Sequence, residues 1–121
     1  MRLTVYHNPR CSKSRNTLNL IESHGVSPSV VRYLDQPPSA ATIESLADAI
    51  GVAVRDLVRR NEAVFKEATD SPDLSDDGAT ARWLAAHPQA LQRPLVIDED
   101  SGRAVIGRPP ENVLSLLDGS D

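Results

Sequence analysis

Polar and apolar side chains alternate from the first residues. Leu3 and Val5 are separated by Thr4 and followed by Tyr6 and His7, a period of two that predicts a short strand closed by Pro9. From about Ser14 to His24 the period lengthens, with Leu18 and Ile21 on one face and Leu20 beside them. This predicts a helix that Gly25 stops. Ser29–Leu34, rich in β-branched residues, predicts a second strand. Strand, helix, strand in that order favours a parallel pair joined by a right-handed crossover.

Pro37 and Pro38 then interrupt the pattern. Ser39 is placed to cap a helix that carries Ile43, Leu46 and Ile50 on one face and ends at Gly51. "VRDLVRRNEAVFKEA" reads as continued helix with a break near Asn61. "TDSPDL" reads as a loop, and Ser75 as the cap of a helix from Asp76 to about Ala86 that bears Trp83 and Leu84. Apart from that loop, the stretch Ser39–Ala86 is thus expected to be all helical. β character returns in Pro94–Asp98. "EDSG" is a turn, "RAVIG" a further strand forming an antiparallel hairpin, and "PENVLSLL" a closing helix with Pro110 in its first position.

The order β-α-β, then helices, then β-β-α is the skeleton of a thioredoxin-like fold, an α/β mixed sheet with an all-helical insertion in the middle. We expect one such domain over residues 1–121, with its core in 1–37 and 90–121 and the insertion in 38–89. A net charge of -4, from 13 basic and 17 acidic residues, argues against nucleic acid or an anionic membrane as partner. The N-terminal residues lack the apolar stretch of a signal peptide, and no run is long enough to span a membrane, so a cytoplasmic location is expected.

Chemistry concentrates in "HNPRCSKSRNT", His7–Thr17, which holds the only cysteine, Cys11. The predicted elements place Cys11 after a strand and before a helix, where free backbone N–H groups and the helix dipole favour an anion. Lys13 and Arg15 are expected to add positive charge, lowering the thiol from ~8.5 into the range where the nucleophilic thiolate forms at neutral pH. A cysteine can also be a small buried hydrophobe, but nothing adjacent in "PRCSKSR" is apolar. His7 has two readings, an imidazolium or hydrogen-bond partner for the thiolate, or a histidine closing the strand. Ser12 and Ser14 can donate to sulfur or cap the helix. Ser14 stands where a C-x-x-C motif has its second cysteine, so any redox cycle through Cys11 needs an outside thiol. The spacing of His7, Cys11, His24 and His87 matches no metal site, and no metal is expected.

"YHNPRCSKSRNTL" resembles the active-site opening of the glutaredoxin-coupled arsenate reductase family. The resemblance extends through "VRYLDQPPS", "VRDLVRRNE", "QRPLVID" and "AVIGRPPENVL", in order and over nearly the whole chain. It implies Cys11 as nucleophile with His7 in its surroundings. It implies three arginines, Arg59 (or Arg60 in an alternative register), Arg93 and Arg108. Pro94 matches the cis-proline of thioredoxin-like folds, and Ser12, Lys13, Ser14 and Arg15 line the substrate loop. Lys13 departs from the small neutral residue often found there. The implied substrate is arsenate or a similar oxyanion, with glutathione as co-substrate, glutaredoxin as partner and no bound cofactor. Planar guanidinium groups suit a tetrahedral oxyanion.

Two other functions fit parts of this pattern. A glutathione-dependent thiol reductase or deglutathionylase of the same fold would use Cys11 without needing three arginines. A non-catalytic RNA polymerase-binding regulator of the related Spx type would need neither, although Ser14 removes the disulfide switch of such proteins.

Overall fold

The computed structural model describes residues 1–117. Four strands form one mixed sheet: β1 Leu3–His7, β2 Ser29–Arg32, β3 Leu95–Asp98 and β4 Ala104–Ile106, in the spatial order β2-β1-β3-β4. β1 and β2 are parallel, with His7 opposite Arg32. β1 and β3 are antiparallel, as are β3 and β4. Helix α1, Ser12–Ser23, makes the crossover between the parallel pair, so the expected β-α-β unit and hairpin are both present. The alternation in β1 has its physical cause in the sheet: Leu3 and Val5 are buried together with Ile21 of α1, Val96 of β3, Val113 and Leu116. Cys11 is the N-cap of α1 and His24 its C-cap, with Gly25 just beyond.

By contact density the chain forms two units, one of Met1–Tyr33 with the chain from Arg93 onward, the other of Leu34–Gln92. The first unit holds the sheet. It closes with a 3-10 turn, Pro110–Val113, that packs against α1 and runs into the short helix Leu114–Leu117. The expected closing helix therefore begins as a tighter 3-10 segment.

The second unit contains α2, Ala40–Ile50, capped by the Ser39 hydroxyl, which accepts from the Thr42 N–H. Gly51 ends it at φ +91, a left-handed conformation that side chains resist. Helix α3 is the single turn Ala63–Lys66, and α4 runs over Asp77–Ala86 and packs against α2. Three sequence expectations fail in this unit. "VRDLVRRNEAVFKEA" is not helix on both sides of the expected break near Asn61: before it, a 3-10 turn at Val54–Leu57 gives way to extended backbone, where Val58 bridges Leu91, and only the turn Ala63–Lys66 beyond it is α-helical. The Gln92 N–H donates to the Leu57 carbonyl and the Arg59 N–H to the Ala90 carbonyl, each at 2.7 Å. A distant segment thus claims the backbone groups that a helix would have used, and local propensity yields to tertiary pairing. Outside the expected loop, Ser39–Ala86 is therefore not all helical either. Finally, Asp76 rather than Ser75 caps α4, accepting from the Ala79 N–H at 3.0 Å, while the Ser75 hydroxyl turns back to Asp73 at 2.6 Å.

Candidate active site

The site is built where β1 ends and α1 begins. Asn8 and Pro9 turn the chain, the Cys11 N–H donates to the Asn8 carbonyl at 3.0 Å, and the Cys11 carbonyl accepts the first helical bond from Arg15, also at 3.0 Å. No side chain caps this helix with a conventional hydrogen bond. The unclaimed backbone N–H groups of Ser14 and Lys13 act on the Cys11 sulfur instead. The thiol is partly buried. That burial alone pushes its pKa up, but the Ser14 and Lys13 N–H groups and then the Arg108 guanidinium outweigh it and hold the thiol below its ordinary value.

Arg108 is the cation in contact with sulfur. Its Nη1 donates to Cys11 Sγ and to the Arg93 carbonyl, each at 3.5 Å. Both arginines precede proline through cis peptide bonds, Arg93–Pro94 at the head of β3 and Arg108–Pro109 just past β4. The Arg93 side chain is buried. Gly107 holds this arrangement together. Its N–H donates to the Pro94 carbonyl at 2.9 Å and its carbonyl accepts from the Thr17 hydroxyl of α1 at 3.1 Å. A Cβ at Gly107 would stand 2.7 Å from Pro94 Cγ and 2.8 Å from Thr17 Oγ1. Only glycine lets the strand pass there, and so deliver Arg108 to the thiol.

His7 is buried at the end of β1. Burial first, then the nearby Arg32 and Arg15, hold its pKa below the ordinary histidine value. It is therefore a neutral ring near neutral pH, and the imidazolium reading is not supported. Its Nδ1 pairs with Ser14 Oγ at 2.7 Å, and the same hydroxyl oxygen accepts the Asn8 N–H at 3.0 Å. With Oγ already an acceptor, its own hydrogen is available to Nδ1, which fits a ring protonated at Nε2. The Ser14 side chain thus serves the histidine, and only its backbone serves sulfur.

The remaining expected residues divide as follows. Ser12, Lys13 and Arg15 are exposed on the first turns of α1. Lys13 contributes its backbone, and the Arg15 guanidinium donates to the Pro9 carbonyl at 2.8 Å, so Arg108 takes the role expected of these two side chains. Arg59 and Arg60 belong to the other unit and lie outside any helix, Arg59 half-buried and Arg60 exposed. Asn8, Thr17 and Gly107 were missed by sequence reasoning. "N-P" marks a turn, but nothing local announces a buried Asn8 or a glycine that must be small. Among the described residues no group of histidine, cysteine and carboxylate side chains could hold a metal ion, and no helix is long and apolar enough to cross a membrane.

A sheet of order β2-β1-β3-β4, a single cysteine at the N-terminus of the crossover helix and a cis-proline heading β3 define a thioredoxin-like protein with one cysteine at the start of its crossover helix. The chain belongs to the ArsC family, whose family model matches residues 6–116. It is 42% identical over 114 residues to the uncharacterized protein YfgD of Escherichia coli K12, covering 93% of this chain and 94% of the relative. It is 40% identical over 117 residues to an arsenate reductase of Neisseria meningitidis, covering 95% of this chain and 97% of the relative. The solved arsenate reductase from Vibrio cholerae superposes with a TM-score of 0.87 at 40% identity, over 95% of this chain and 97% of that one.

Proposed function

We propose that the protein is an arsenate reductase that uses Cys11 as nucleophile and glutathione, with glutaredoxin, as the source of electrons. The observation that carries the reading is Arg108 Nη1 at 3.5 Å from the Cys11 sulfur, above a helix turn whose free N–H groups already stabilise the thiolate. Such a site gathers donors around the position where an oxyanion meets sulfur. Names carried by relatives about 40% identical support the same substrate.

In the proposed cycle the Cys11 thiolate attacks arsenic(V) and displaces one oxygen ligand as water. Glutathione then displaces a second oxygen ligand, also lost as water. The two As–S bonds break as the Cys11–glutathione S–S bond forms, which passes two electrons to arsenic; arsenite leaves, and glutaredoxin reduces the mixed disulfide at the expense of glutathione. Arg93 and Arg108 are assigned to the oxyanion; Arg108 also steadies the thiolate before attack. His7 orients the loop as a neutral partner of Ser14. The exposed Ser12, Lys13 and Arg15, with Pro94, complete the proposed substrate surroundings.

The test follows NADPH consumption with arsenate, glutathione, glutaredoxin and glutathione reductase, using Cys11→Ser as blank. Arsenate-dependent consumption that disappears in Cys11→Ser is expected. Consumption with a glutathionylated disulfide but none with arsenate would replace this reading with the deglutathionylase one.

A further inference from the structure

We infer that Asn8 is a positioning residue for the Cys11 thiolate, setting the loop between β1 and α1 so that the helix N–H groups and Arg108 reach sulfur. The inference rests on Cys11 being the nucleophile and goes beyond it by naming the group that places the thiol.

Asn8 is only 8% exposed, and each of its four polar groups binds a different part of the site. Its carbonyl accepts the Cys11 N–H at 3.0 Å. Its N–H donates to Ser14 Oγ at 3.0 Å, the oxygen that also pairs with His7. Its Oδ1 accepts the Arg10 N–H at 2.9 Å, closing an Asx-turn across Pro9. Its Nδ2 donates to Tyr33 Oη at 3.3 Å, and Tyr33, just past β2, is fully buried. The loop is thus tied to its own next residues, to α1 and to the C-terminal end of the neighbouring strand β2 through one side chain and the backbone groups of the same residue.

This matters for the thiol because α1 has no side-chain cap. Where serine, threonine or aspartate at an N-cap usually fixes the first turn, Cys11 occupies that position and its sulfur must remain open to substrate. The capping duty passes back to Asn8, which holds the Cys11 backbone from outside the helix. Its side-chain bonds go to Arg10 and Tyr33 and none to sulfur, so its effect on the thiolate is indirect. A purely structural asparagine would lower thermal stability when replaced and leave the titration of Cys11 where it was. A positioning asparagine moves the titration.

The test measures alkylation of Cys11 by iodoacetamide, a neutral reagent, as a function of pH, together with the far-UV circular dichroism melting temperature. The proteins are wild type, Asn8→Ala and Asn8→Ser. Wild type should titrate below ~8.5. Asn8→Ala should titrate about one unit higher than wild type, roughly a tenfold loss of thiolate at pH well below both midpoints. In Asn8→Ser the hydroxyl can accept the Arg10 N–H but cannot reach Tyr33, so its midpoint should fall between the two. A folded Asn8→Ala with the wild-type midpoint overturns the inference, whatever its melting temperature. If Asn8→Ala does not fold, an unshifted midpoint in Asn8→Ser overturns it. A wild-type midpoint at or above ~8.5 overturns the nucleophile reading itself, and because it is read on wild type alone the two failures are distinct.

Discussion

At the scale of single residues, the site replaces neighbours in sequence by neighbours in space. The basic residues beside Cys11 made a thiolate legible in the sequence, and the direction of the shift agrees with that expectation. The source differs: the cation at the sulfur is Arg108, 97 residues away along the chain, while Arg15 is turned to the Pro9 carbonyl. Periodicity and spacing cannot reveal a contact that only the sheet creates. The two arginines should therefore separate on substitution. Lysine in place of Arg93 keeps charge but loses paired donors; arsenate turnover should fall by about 1.5–3 kcal/mol in barrier terms, one to two powers of ten, with iodoacetamide alkylation nearly unchanged. Arg108→Lys should lose turnover similarly and also raise the pH midpoint of alkylation. Equal alkylation profiles in both variants would argue against Arg108 as the thiolate's partner. His7 gives a second outcome, read in stability. Its folded pKa is depressed, so the unfolded chain binds the extra proton first. Stability is full above ~6.5 and declines as pH falls through that value towards the folded pKa. His7→Gln should flatten this decline in urea unfolding followed between about pH 4 and 7. A decline identical to wild type would place the acid sensitivity elsewhere.

At the scale of elements, the clearest sequence signals were those whose cause is local. α2 starts at Ser39 and ends at Gly51 as the cap and stop residues dictate, and β1 follows its alternation because one face meets the core. The stretch after Val54 misled because its partner, Ala90–Gln92, is remote in sequence and holds it by backbone bonds that no pattern encodes. Gly107 was illegible for a related reason. Its requirement comes from Thr17 and Pro94, on two other elements. This predicts that Gly107→Ala destabilises the protein by about 1–3 kcal/mol, the cost of overpacking a tight site, measured as a lower urea midpoint. Because neither the proline ring nor the short, branched Thr17 side chain, bonded to the Lys13 carbonyl at 2.8 Å, can retreat freely, the strand end must shift and carry Arg108 with it. The Cys11 alkylation midpoint should then rise in the folded variant. Loss of stability with an unchanged midpoint would show that Arg108 holds its place independently of the strand.

At the scale of the whole molecule, the proposed cycle has the chain supply one half of a redox couple. Reducing arsenate to arsenite takes two electrons, and two thiols joining as a disulfide release two. This sequence has one cysteine, and the position where a resolving thiol would stand is filled by Ser14, fully buried and committed to His7 and Asn8. Once Cys11 has reacted, nothing in the molecule can complete the exchange, so the adduct must wait for a thiol from solution. The thiol that arrives must reach a partly buried sulfur lined by Arg108 and helix N–H groups, a setting that favours a small anionic thiol over a bulky protein one. Turnover should therefore depend on glutathione concentration. It should be absent with thioredoxin, thioredoxin reductase and NADPH alone. Without any small thiol, incubation with arsenate should slow Cys11 alkylation, and added glutathione with glutaredoxin should restore it. Sustained NADPH oxidation in the thioredoxin system without glutathione would contradict this. It would mean that a protein dithiol reaches the adduct directly, with its own second cysteine doing what Ser14 cannot.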